Sequence, residues 1–183
     1  MRYLITIFLI IVSPCSAVDT WAKIYGGSFD DNFENIEYVN DGKLLAIGYT
    51  GSYGSGDLDI LFCNISPDGV LETSYVIGGI GPDVGKYAIQ TMDAGILIGG
   101  YENSYFGLLN EIFLIKLDTT YSIEWSKVLG GITIDKSYAA IETYDEGFLV
   151  AGYTYSYGMG GGDLLLIKLR RLGAIEWCKT FGF

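Results

Sequence analysis

Apolar residues in this chain gather in short runs with no helical spacing. Three runs stand out: I-L-F-C-N-I from Ile60, I-F-L-I-K-L from Ile112 and L-L-L-I-K-L from Leu164, each preceded by an acid (Asp59, Glu111, Asp163). Their length fits strands, and neither face alternates to polar for long, so each must be covered on both sides. Upstream of each run lies a more mixed apolar and polar stretch that ends in Gly-Tyr. Together these predict an all-β chain of stacked sheets.

The runs are 52 residues apart, and so is everything around them. Adding 52 carries Gly26-Gly27 onto Gly78-Gly79 and Gly130-Gly131, and Asp31 onto Asp83 and Asp135. It also carries Asp41, Leu45, Gly48-Tyr49 and Ser52-Tyr53 onto identical residues in both later copies. W-A-K-I-Y-G-G from Trp21 aligns with W-S-K-V-L-G-G from Trp125 and W-C-K-T-F-G from Trp177. Such a period marks a repeat architecture. One unit predicts four strands, near 21 to 26, 34 to 39, 43 to 50 and 59 to 65. Turn signals divide them: Gly26-Gly27, Asn40-Asp41-Gly42, the loop from Gly51 to Gly56, and Pro67-Asp68-Gly69.

Four short strands in about 50 residues is the size of a β-propeller blade, whose sheets pack face to face; a β-solenoid is the alternative. The expected organisation is a leader over 1–17 and a β-repeat domain over 18–183. Its copies span 21–72, 73–124 and 125–176, with the start of a fourth at 177–183. Closed propellers use roughly four to eight blades. Three blades and a strand therefore make an incomplete ring, to be completed by further chains or by further blades of a longer protein.

The units resemble those of exported tandem-repeat proteins with blades of the type W-x-K-x-x-G-G, D-G, G-Y-T-x-S-x-G and D-L-L-L-I-K-L, found on bacterial surfaces and in large proteins of some protists. The likeness covers residues 21 to 183 and implies a propeller fold, with no activity attached. A weaker likeness to kelch repeats rests on I-L-I-G-G at 96–100, although Trp125 follows too late. A weaker likeness to quinoprotein blades rests on Gly173 and Trp177 of G-x-x-x-W. Copy two has Tyr121 for that glycine and copy one has Thr73 for the tryptophan, so no cofactor is expected.

The first residues, M-R-Y-L-I-T-I-F-L-I-I-V-S-P-C-S-A, have the early charge, short apolar run and small residues of a cleaved signal peptide. The run is too short to span a bilayer. A secreted or cell-surface protein is expected, with no membrane insertion after cleavage. With 11 basic against 22 acidic residues the net charge is −11. That disfavours nucleic acid, which needs a basic patch, and suits a cation or basic partner. Beyond the leader only Cys63 and Cys178 remain, too few for a disulfide scaffold. Asn64-Ile65-Ser66 makes Asn64 a candidate for glycosylation.

The chain contains no histidine, which removes the Ser-His-Asp and Cys-His constellations and histidine-ligated zinc. No metal site is expected: Asp31, Asp83 and Asp135 lack the D-x-D-x-D-G run of a calcium loop and read as turn caps. Carboxylate catalysis of a glycosidase type would use acids that depart from the repeat. Asp57 stands opposite Leu109 and Gly161, and Glu102 opposite Thr50 and Thr154. The candidate ligand-binding residues are Tyr49, Tyr53, Tyr101, Tyr105, Tyr153 and Tyr157, aromatic pairs four apart that could stack on sugar or meet a protein. The expectation is a binding or structural assembly module without catalytic activity, taking a protein or carbohydrate ligand and self-associating. The alternative is part of a larger propeller hydrolase.

Overall fold

The computed structural model describes residues 7–9, 22–104 and 109–182. All regular structure among them is strand, ordered β1 (Ile7–Leu9), β2 (Lys23–Tyr25), β3 (Asp31–Tyr38), β4 (Leu44–Thr50), β5 (Asp59–Ile65), β6 (Leu71–Ile77), β7 (Val84–Gln90), β8 (Ile96–Glu102), β9 (Glu111–Leu117), β10 (Ile123–Leu129), β11 (Asp135–Glu142), β12 (Phe148–Thr154), β13 (Asp163–Leu169) and β14 (Ile175–Phe181). Three antiparallel four-stranded sheets follow chain order, β3-β4-β5-β6, β7-β8-β9-β10 and β11-β12-β13-β14, beside a β1-β2 pair. The sheets stack as blades and do not close into a ring, so the fold is the incomplete propeller-type array that the repeat implies. The solenoid alternative does not occur.

The sheets are out of phase with the sequence copies. Each takes three strands from one copy and its fourth from the next, so Leu71–Ile77 completes the first sheet and Ile175–Phe181 the third. Between β5 and β6 the Gly69 amide donates to Ser66 O and the Ser66 amide to Val70 O, both at 2.8 Å, which forces an antiparallel return. The Gly78-Gly79 link is longer and passes to the next sheet, where the Asp83 amide donates to Leu58 O. The expected fourth-copy start at 177–183 thus serves as an outer strand. The strand left over lies at the other end, as β2.

Two cores hold the array together. One joins Leu45, Ile47, Ile60 and Phe62 of the first sheet to Ala88, Ile96, Ile98, Phe113 and Ile115 of the second. The other joins Leu97, Ile112 and Leu114 of the second to Ala140, Phe148, Val150, Leu165, Ile167 and Leu169 of the third. In β5 every residue is buried, as two-sided apolar patterning requires. A third cluster, with Ala46, Leu61, Cys63 and Ile65, backs the first sheet, and Tyr25 of β2 packs on it. Cys63 and Cys178 are free thiols, Cys63 buried and Cys178 exposed.

Candidate functional site

The invariant Gly-Tyr pair shapes the second strand of each sheet. A Cβ on Gly48 would lie 1.9 Å from Asn32 O, on Gly100 2.1 Å from Val84 O, and on Gly152 2.0 Å from Lys136 O. Only glycine permits that approach. Opposite each one the register shifts, between Phe33 and Asn35, Gly85 and Tyr87, and Ser137 and Ala139. A bulge in the first strand therefore leaves one residue unpaired per sheet: Glu34, Lys86 and Tyr138. Bulges re-aim side chains in this way near binding sites.

These residues meet the tyrosines of the Gly-Tyr pairs. Lys86 forms a 2.9 Å ion pair with Glu34 and lies 5.7 Å from the Tyr101 ring centre. Lys136 Nζ sits over the same ring at 3.8 Å, and Tyr138 stacks on Tyr153 with centroids 5.8 Å apart. The groups feel one another. Burial raises Tyr101, with Lys86 opposing and Glu34, Tyr153 and Tyr49 adding to it. Burial and the neighbouring Tyr153 push Tyr138 up to about 12. Burial, then Lys86, lowers Lys136. Tyr49, Tyr101 and Tyr153 thus form one row across three sheets, flanked by Glu34, Lys86 and Lys136. Lys136 covers one face of the Tyr101 ring and Tyr138 one face of Tyr153, so the row can offer a ligand its hydroxyls and the ammonium and carboxylate groups beside them.

The second tyrosine of each pair does something else. Tyr53 and Tyr157 lie beyond the strand ends, and their hydroxyls donate to Gly26 O at 3.1 Å and Gly130 O at 2.8 Å. They clamp the Gly-Gly loop. Tyr105 lies outside the described residues. The five described tyrosines therefore do not form one surface, since loop geometry separates positions that a continuous strand would have aligned.

The repeated aspartates cap the same loop. Asp31, Asp83 and Asp135 accept the amides of Gly27, Gly79 and Gly131 at 2.8 Å and the hydroxyls of Ser52, Ser104 and Ser156 at 2.6–2.7 Å. For Asp31, burial raises the carboxyl, but hydrogen bonds from Thr50, Gly27 and Ser52 outweigh it and hold it low. Among the described residues no group of three or more acids and thiols is placed to hold a metal ion.

Of the acids that break the repeat, Glu102 is buried and accepts the Ser104 amide at 2.7 Å. Thr50 and Thr154 accept the amides of Ser52 and Ser156 in the same way. Glu102 therefore fills a structural role in that loop. Asp57 is exposed in the loop between β4 and β5. Asn64 is buried, with its amide nitrogen donating to the Thr73 hydroxyl at 3.1 Å, so the folded sheet does not present the atom that would carry a glycan.

One further surface is exposed by the end of the array. The third sheet's outward face carries Leu149, Ala151, Leu164 and Leu166, the 104-residue equivalents of Leu45, Ile47, Ile60 and Phe62. In the first sheet those four are buried against the second. In the third, Leu164 is 67% exposed, with Phe181 of β14 opposite it at 52% and Trp177 opposite Lys168 at 37%. Compared with known proteins, the chain matches no family model and no curated protein.

Proposed function

We propose that this chain is an extracellular or surface β-repeat protein that acts as a binding and assembly module, without catalysis of its own. The open face of the third sheet carries the reading. Its apolar residues repeat, position for position, a face that the second sheet covers elsewhere in the molecule. What fits such a face is another sheet of the same repeat. Leu164 is exposed and Leu149 and Leu166 are half-buried, so covering the face would contribute about 1.5–3 kcal/mol at Leu164 and a fraction of that at each of the other two.

The row of Tyr49, Tyr101 and Tyr153 is the ligand surface in this reading, with a carbohydrate or a protein loop as ligand. Light scattering on the chain from Val18 tests the assembly half. Oligomers are expected for the wild type, and a monomer with an unchanged β-sheet circular dichroism spectrum for Leu164→Lys with Leu166→Glu. A monodisperse wild-type monomer that binds no polysaccharide or protein would defeat the proposal. Hydrolysis of a glycoside panel that is lost on Asp57→Asn would favour the enzyme instead.

A further inference from the structure

Neighbouring sheets fan apart toward their outer strands, and a pocket opens at the same place in both junctions. The pocket between the first and second sheets has a volume of about 380 Å³ and includes Gly78, Asp83, Phe113 and Ile115. The one between the second and third is about 420 Å³ and includes Gly130, Asp135, Leu165 and Ile167, each 52 residues on. Both volumes lie in the range of small-ligand sites.

The second pocket has a feature that the first lacks. All three capping aspartates spend one oxygen on a Gly amide and a Ser hydroxyl. Asp31 uses its other oxygen to accept the Thr50 hydroxyl, and Asp83 accepts the Asn103 amide at 3.1 Å. Asp135 is fully buried and its Oδ1 has no partner. A buried carboxylate oxygen left unpaired is costly. Glu111 adds to the demand for positive charge. A Cβ on Gly130 would stand 2.9 Å from Asp135 Oδ2 and 3.3 Å from Glu111 Cγ, so the two acids flank one glycine. Among the described residues neither acid forms an ion pair. The remaining wall is mostly apolar, with Leu129, Leu165 and Ile167.

We propose that this pocket binds a primary ammonium group on a short unbranched apolar stem. The ammonium donates to Asp135 Oδ1, beside Glu111, and the stem lies along Leu129, Leu165 and Ile167. A bare metal ion fits less well, for want of a third ligand. A neutral amphiphile would fill the apolar wall and leave the carboxylate unanswered. The site stands apart from the assembly reading: it lies inside one chain, between two of its own sheets.

Cys178 lines this pocket and Cys63 is buried in the first sheet, so thiol alkylation reports on both ligand and fold. The full chain is treated with iodoacetamide in the presence of hexylammonium, hexanol or hexanoate, and each cysteine is followed by peptide mass spectrometry. Hexylammonium should protect Cys178 at concentrations roughly tenfold or more below those of hexanol, with hexanoate weaker still. Asp135→Asn keeps an acceptor for Gly131 and Ser156, and should bring hexylammonium level with hexanol. Leu165→Trp fills the pocket with the carboxylate in place and should abolish protection. In each variant an unreactive Cys63 certifies the fold. Protection by N-acetyl-lysine methylamide would identify a lysine side chain as the source, and protection by the free amine alone a small molecule; either supports the site. Equal protection by all three probes, or an Asp135→Asn chain that folds and still prefers hexylammonium, overturns it.

Discussion

At the residue scale, the repeat is strictest where two backbones touch. Gly48, Gly100 and Gly152 have no room for a methyl group. Gly152→Ala should therefore lower stability by about 2–3 kcal/mol in urea unfolding, through overpacking against Lys136 O. Positions that merely prefer glycine have drifted. Gly42, Ala94 and Glu146 occupy one hairpin-turn position in the three sheets, all with φ between 60° and 82°. That conformation costs an L-residue about 1 kcal/mol or more, and glycine's larger loss of chain entropy on folding takes back only part of the gain from removing that strain. Ala94→Gly should stabilise the protein by about 0.5–1 kcal/mol in the same measurement. Tyr121 shares the strain at φ 63°, but its ring packs on Phe62 and Tyr75 at 5.7–5.8 Å. Glycine there would relieve the backbone and open the core.

At the element scale, one lysine at the base of the second and third sheets departs from the apolar run that holds it. Lys116, in β9, is buried with its ammonium donating to Asp93, Glu124 and Leu117 O at 3.0–3.1 Å. Lys168, in β13, repeats the arrangement with Asp145 and Leu169 O. Burial alone would raise the Asp93 carboxyl, yet hydrogen bonds from Thr91, Gly95 and Lys116 and the lysine charge bring it below its ordinary value. A carboxyl depressed in the folded state adds stability above the ordinary carboxylate range, and that stability is lost as pH falls through the depressed value. Asp93→Asn should therefore cost about 1–2 kcal/mol near pH 7, discounted from a fully buried pair because Asp93 is a third exposed. Urea titrations at falling pH should show the gap to wild type closing below pH 4.

At the scale of the whole molecule, the first and third sheets differ in what covers them. Tyr25 of β2 packs on the outer face of the first sheet in the place that Ile77 and Leu129 hold at the internal junctions. The third sheet has no such cover among the described residues. Cys178, on the exposed outer strand β14, should be far more reactive than Cys63. Burial pushes the Cys63 thiol up to about 12. Alkylation of the native chain should reach Cys178 at least a hundredfold faster, and only denaturation should bring the two rates together.

The fold was legible because its signal is periodic: three copies of a pattern that is apolar on two faces demand stacked sheets, and the identical Asp, Ser and Gly-Gly positions close one capped loop. The site was legible only in part. Tyr49, Tyr101 and Tyr153 could be named from the repeat, but not their separation from Tyr53 and Tyr157, which depends on where β4 and β12 end. Nor could Glu34, Lys86 and Tyr138 be found, because a bulge is a register shift between two strands and leaves no mark in either alone. The kelch-like Gly99-Gly100 pair shows the same limit. A Cβ on Gly99 would meet the Tyr87 ring, whose hydroxyl reaches across to Ser137 of the next sheet. By itself the sequence determined the unit, its four strands and the shortage of blades, since these follow from period and hydrophobicity. Which strand closes each sheet, which aspartate keeps an unpaired oxygen and which apolar face stays open were decided by the tertiary structure, because each depends on the distance between residues far apart in the chain.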